Sequence, residues 1–165
     1  FLGRFIPDKG ALEAIAIFKL SGMPLKLAAP HNEYYEHAIR PHVDGRNVEY
    51  LGELNTVEKQ KFLSEASALV YPVLCGEPFG LVLVEAMACG TPVLAFAKGA
   101  VGEIVEHGHT GWLGQTVEDL ADAAKNLDQF DHNRIRLHAE RNYSKDVYVE
   151  RVESLMAKIV GERDS

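Results

Sequence analysis

The chain is 165 residues long, carries 24 acidic against 17 basic side chains for a formal charge of −7, and is 47% hydrophobic. A chain of this length buries about 70% of the surface its unfolded form exposes, so it builds a core without disulfide or metal. An acidic balance with no Lys/Arg run argues against nucleic acid, and no apolar stretch reaches membrane-spanning length, so a soluble, cytoplasmic domain is expected. Cys75 and Cys89 show no C-x-x-C spacing and read as two reduced thiols.

Short apolar runs alternate with longer helical patterns, which predicts repeated strand–helix units around a parallel sheet. The predicted strands are Leu2 to Ile6, Leu25 to Ala29, Val48 to Leu51, Ala68 to Pro72, Pro92 to Phe96 and a short one at Gly111 to Leu113. The predicted helices are Lys9 to Leu20, Glu33 to Val43, Val57 to Ala66 with Thr56 as its cap, Gly80 to Cys89 and Val101 to His107. From Val117 on, the chain is helical, with a last helix from about Ser144 to Val160. The expected fold class is α/β: a doubly wound, Rossmann-like parallel sheet with C-terminal helices, in a single domain over residues 1–165. Phe1 stands where an initiator methionine would, and strand begins at once, so an excised domain with something missing before it is expected.

In such sheets ligands bind where strand ends lead into helix N-termini. The richest of these loops runs from Gly76 through Glu77-Pro78-Phe79-Gly80-Leu81 to Glu85 and on to Gly90-Thr91-Pro92. Seven residues separate Glu77 from Glu85, and Glu85 lies on an otherwise apolar helix. A carboxylate there needs hydrogen-bond donors. The amides around Phe79, Gly80 and Leu81 form a helix N-terminus suited to phosphate. Two carboxylates flanking it can each take a pair of hydroxyls, at about 1.5–3 kcal/mol per charge-assisted bond where water is excluded. That pattern fits a nucleoside diphosphate sugar. The plainer alternative is that Glu77 caps the helix and Glu85 pairs with a neighbouring base.

The stretch from Glu77 to Pro92 resembles the donor-site motif of the retaining glycosyltransferases of family 4, with the two-domain GT-B fold. Gly3-Arg4, Lys9-Gly10, Val48-Glu49-Tyr50-Leu51-Gly52 and Gly108-His109-Thr110-Gly111-Trp112-Leu113 extend the likeness over nearly the whole chain. The resemblance implies that Arg4 and Lys9 contact the donor diphosphate and that Glu77 holds hydroxyls of the transferred sugar, beside the backbone of Phe79, Gly80 and Leu81. It implies that Glu85 binds the ribose and that the base rests near Leu54. Arg4, Lys9 and Glu77 would then carry the catalytic roles, with a UDP-sugar as the donor class favoured. Lys59 stands where some members present a basic residue to the nucleotide, while Glu58 and Lys61 fit a solvated face equally well. No metal or other cofactor is expected, since two cations and the helix dipole take the role of a divalent ion.

Ala29-Pro30-His31-Asn32 departs from the glycine-rich turn common in the family, and its contacts are open. Cys75 either borders the sugar pocket or is a small apolar loop residue. The paired histidines His107 and His109 lie in a glycine-rich turn and are expected in solvent. By resemblance the missing N-terminal half binds the acceptor, so the isolated domain should transfer little. The last helix would, by resemblance, cross back toward that half, and its stripe of Tyr148, Val152, Leu155 and Ile159 must find another surface, on this domain or on a neighbouring copy. Competing readings are a related GT-B enzyme, such as a nucleotide-sugar epimerase or glycogen synthase, and a non-catalytic nucleotide-binding or scaffold domain.

Overall fold

The computed structural model describes residues 1–161. Its first departure from the sequence pattern lies at the start. Residues 2–6 do not form a strand: Leu2 makes an isolated parallel bridge with Ala28. Gly3 donates to the Ala28 carbonyl at 3.1 Å, and the chain then folds back, with the Ile6 amide on the Arg4 carbonyl at 3.1 Å. Pro7 opens a 3₁₀ turn, Pro7–Lys9, where its fixed φ and missing N–H suit a first turn and not a ladder. Arg4 therefore sits in a turn, exposed, while its neighbour Phe5 is fully buried.

Helix α1 (Ala11–Ser21) follows, then β1 (Leu25–Leu27), which pairs parallel with β2 (Val48–Tyr50). The helix expected over Glu33 to Val43 is irregular, a π-helical turn Tyr35–Ile39 followed by a 3₁₀ turn Arg40–His42. Pro41 removes a donor and crowds the preceding turn, so α-helical bonding cannot continue through it. Helix α2 (Thr56–Ser64) is capped by Asn55 and not by Thr56. Asn55 has the extended backbone of a cap, its side chain accepts from the Val57 and Glu58 amides at 3.0 Å each, and Glu58 accepts the Asn55 amide in return at 2.9 Å.

Beyond it come β3 (Leu69–Tyr71), α3 (Leu81–Ala88), β4 (Val93–Phe96), α4 (Val101–Ile104) and β5 (Gly111–Gly114). Helices α5 (Val117–Ala124), α6 (His132–Tyr143) and α7 (Lys145–Gly161) close the chain. Helix α4 stops short of His107 because the Glu106 amide turns to the Thr110 hydroxyl, at 2.9 Å. The exposed His107 accepts the Leu113 amide at 3.1 Å and packs on Trp112, bracing the start of β5.

All strand pairs are parallel, in a two-stranded sheet β1-β2 and a three-stranded sheet β3-β4-β5 with helices around them. The architecture is α/β and Rossmann-like, with the strands divided between two sheets where a single one was expected. Strand β4 is buried along its whole length, as a parallel strand covered on both faces must be. Val93 and Ala95 pack with Leu83 and Met87 of α3 and Ile135 of α6, while Leu94 and Phe96 pack with Ile17 of α1 and Leu120 of α5. Each such side chain contributes about 1.5–3 kcal/mol on burial. Around β1-β2, Phe5 stacks on Tyr35 with ring centres 5.5 Å apart and Tyr35 meets Tyr50 at 4.1 Å, which anchors the segment just beyond Arg4. Among the described residues no helix is long and apolar enough to cross a membrane. On α7 the stripe of Tyr148, Val152, Leu155 and Ile159 is exposed.

Candidate functional site

The strand ends of both sheets feed one cavity of about 350 Å³, lined by Arg4, Lys9, Leu54, Glu77, Gly80, Leu81 and Glu85 together with Lys59 and Tyr71. Local geometry explains how distant residues meet there. Gly10 adopts φ 74°, and a side chain at this position would overlap the Pro72 carbonyl, so glycine lets the 3₁₀ turn lie directly against the end of β3. The Leu74 amide donates to the Asp8 carbonyl at 2.9 Å, tying that turn to the loop after β3. Lys9 is thereby carried to Glu77.

Lys9 Nζ lies 2.5 Å from Glu77 Oε2, with both side chains largely buried. The Tyr71 hydroxyl donates to the same oxygen at 2.6 Å. Burial pushes the Glu77 carboxyl up, but the hydrogen bonds from Lys9 and Tyr71, the Lys9 charge and the Phe79 amide outweigh it and hold the group below its usual range. The Tyr71 phenol moves far upward through burial and its bond to Glu77, so it remains a protonated donor. The Glu77 backbone is fixed as well: it bridges Gly99, and its carbonyl accepts the Ala100 amide at 2.8 Å.

Glu85 lies a further turn along α3, past the first free amides of the helix. Lys59 reaches it from α2, Nζ to Oε1 at 2.5 Å, in a pair that is about a third exposed on each side. Glu85 thus pairs with a neighbouring base and lines the cavity at the same time. Arg4 makes no salt bridge among the described residues. With the Lys9–Glu77 and Lys59–Glu85 pairs formed, Arg4 is the lining cation without a carboxylate partner among the described residues, although Glu53 also lines the wall.

Two residues considered from the sequence lie off the cavity wall. Phe79 does not line the cavity; its ring meets Tyr143 edge-on at 6.2 Å. Gly80 and Leu81, at the start of α3, do line it. Cys75 does not line the cavity either, which agrees with the reading of it as a small loop residue. The loop whose contacts were open does border the site: Ala29 and Pro30 form part of its wall. Asn32 donates to the Phe5 carbonyl at 2.7 Å and accepts the Tyr35 amide at 2.9 Å, which pins the chain next to Arg4. Tyr71 and Glu53 were not singled out from the sequence. Tyr71 ends an apolar strand and reads there as core. Among the described residues no three His, Cys, Asp or Glu side chains gather as a metal centre requires.

The model of the family described as Glycosyl transferases group 1 matches residues 1–147. The chain is 35% identical over 142 residues to the D-inositol 3-phosphate glycosyltransferase of Rhodococcus erythropolis, covering 77% of this chain and 32% of that protein. A crystal structure of a glycosyltransferase involved in avilamycin A biosynthesis superposes with a TM-score of 0.74 at 30% identity, over 95% of this chain and 51% of the other. An Anabaena protein crystallised with UDP and glucose shares the fold, with a TM-score of 0.77 at 22% identity over 94% of this chain and 47% of its own. The chain spans a third or less of the length of the curated relatives it matches. With the family model covering most of its length, the chain belongs to the glycosyl transferases group 1 family.

Proposed function

We propose that this chain is the donor-binding half of a retaining glycosyltransferase of the GT-B type, taking a UDP-sugar in the cytoplasm and passing the sugar to an acceptor hydroxyl held by an N-terminal domain outside this chain. The observation that carries the reading is the single cavity that joins the unpaired Arg4, the N-terminus of α3 and the two carboxylates Glu77 and Glu85. A diphosphate placed over the Gly80 and Leu81 amides, with Arg4 and Lys9 on its oxygens, leaves Glu77 on the sugar side and Glu85 on the ribose side. The base would lie near Leu54.

In this reading the chain supplies charge stabilisation to the departing diphosphate and orientation to the sugar. Arg4, Lys9 and the helix amides stabilise the leaving group. Glu77 accepts from sugar hydroxyls, and the departing phosphate assists the incoming hydroxyl on the same face, so no protein nucleophile is needed here. No metal is invoked. The exposed apolar stripe of α7 would meet the N-terminal domain or a second copy.

UDP is the nucleotide with which the Anabaena protein of like fold was crystallised, so it is the first ligand to try. Calorimetric titration of the chain with UDP, GDP and ADP tests the proposal. Micromolar binding of one nucleotide, lost in Lys9→Ala and Glu85→Ala with the fold intact, is the expected result. No binding of any of them at millimolar concentration would instead favour a non-catalytic domain that keeps only the fold.

A further inference from the structure

Glu77 carries two donors on one oxygen, and they differ in kind. Lys9 is a flexible stem ending in a charge that can donate in several directions, so it neutralises a carboxylate without fixing its plane. Tyr71 is a rigid ring, 4% exposed, set in register opposite Ala95 of β4 and held in the core beside Val73 and Leu83. Its hydroxyl reaches Glu77 Oε2 at 2.6 Å, and the Lys9 ammonium lies 5.9 Å from its ring centre, so the three side chains form one cluster at the cavity wall. Among the described residues no other side chain donates to Glu77. A phenylalanine would fill the same core space, so the ring alone accounts for packing. The hydroxyl serves the carboxylate.

We infer that Tyr71 is a positioning residue: with Lys9 it holds Oε2 of Glu77 and sets the carboxylate plane, leaving Oε1 to accept a hydroxyl of the sugar moiety of a nucleoside diphosphate sugar. This inference rests on the donor-site reading and deepens it, since it divides the site into a nucleotide part that does not need Tyr71 and a sugar part that does. A carboxylate free to rotate about its last bond would spread its acceptor directions and select less sharply among sugar hydroxyls.

The test is Tyr71→Phe, which keeps the ring and the core volume, measured in two ways. In the ligand-free chain, the Glu77 carboxyl is titrated by carbon NMR, with the signal assigned by its loss in Glu77→Gln. Removing one hydrogen bond to the charged form raises the midpoint, whereas a purely packing role leaves it unmoved. In the second arm, UDP affinity stays within about twofold of wild type while UDP-glucose affinity falls about tenfold, the loss of one charge-assisted hydrogen-bond arrangement. An unmoved Glu77 midpoint, or parallel weakening of UDP and UDP-glucose, overturns the role assigned to Tyr71. A wild-type chain that binds UDP but shows no difference with UDP-glucose also overturns it and leaves nucleotide binding standing. A wild-type chain that binds neither overturns the donor-site reading itself, and this inference with it.

Discussion

Lys59 of α2 and Glu85 of α3 meet at 2.5 Å on the wall of the cavity, 26 residues apart in the chain. The pair is too exposed to matter much for stability; such contacts contribute about 0–1 kcal/mol. Its effect is on geometry. Lys59 occupies Oε1 of Glu85, so in the proposed donor-site reading Oε2 is the oxygen that accepts from the ribose. Glu85→Gln is therefore expected to weaken UDP by about tenfold, the scale of a lost hydrogen bond to a charged acceptor, while leaving inorganic pyrophosphate unaffected. The preference of the wild type for UDP over 2′-deoxy-UDP should disappear in the same variant. If Glu85→Gln keeps that preference, Glu85 is not the ribose acceptor.

Lys59→Met separates orientation from charge. Unfolding stability should shift by less than about 1 kcal/mol, yet UDP should bind several-fold more weakly because Glu85 loses its fixed rotamer. A chain whose UDP affinity rises instead would mean that Lys59 competes with the ribose for Glu85.

Gly99 stands against the backbone of Glu77 with φ 58°, and a Cβ there would overlap the Glu77 amide nitrogen and carbonyl oxygen. Gly99→Ala should thus cost about 1–3 kcal/mol in urea unfolding through backbone strain, and it should weaken UDP-glucose more than UDP because Glu77 is displaced. Gly102, within α4, has nothing within 4 Å of an added Cβ. Gly102→Ala should leave binding alone and stabilise by up to about 1 kcal/mol. Equal effects from the two substitutions would remove the argument that the Gly99 loop places Glu77.

The run from β3 through α3 was readable because its information is local: an apolar strand, a loop ending in Gly80, and a helix whose odd residue is Glu85. Relations across the chain were not. Arg4 was read within a strand because Phe1, Leu2, Phe5 and Ile6 are apolar, yet Phe1 and Phe5 are buried in one cluster, Leu2 is half-buried against another, and the turn at Ile6 uses the Arg4 carbonyl as acceptor. Tyr71 was hidden by its own burial, since a core aromatic and a buried hydrogen-bond donor look alike in sequence. Phe79 was grouped with Gly80 and Leu81, yet its ring turns to Tyr143 and only the other two line the cavity.

The cap of α2 shows the same limit at a single residue. Asn55 and Thr56 are both good caps, and the hydrogen bonds decide for Asn55. Asn55→Ala should cost about 1 kcal/mol, whereas Thr56→Ala should stay within about 0.5 kcal/mol, by chemical denaturation. Because α2 carries Lys59, Asn55→Ala should also soften UDP binding. Equal costs at the two positions would contradict the capping box.

Glu77 allows a pH test with a defined sign. Its folded-state value lies below the ordinary 4.5, despite burial, because Lys9, Tyr71 and the Phe79 amide favour the charged form. A group depressed in this way stabilises the fold above its unfolded value, and the contribution is lost as pH falls through the folded one. Glu77→Gln imitates the protonated side chain in size and shape. Wild type should therefore be more stable than Glu77→Gln near about pH 7, and the gap should close as pH falls below the ordinary carboxylate range, in urea unfolding at each pH. Every other carboxylate is common to both proteins, so its titration cancels in the difference. A gap that stays constant across that range would mean that Lys9 and Tyr71 do not hold Glu77 in its charged form, and the electrostatic basis of the sugar-side acceptor would go with it.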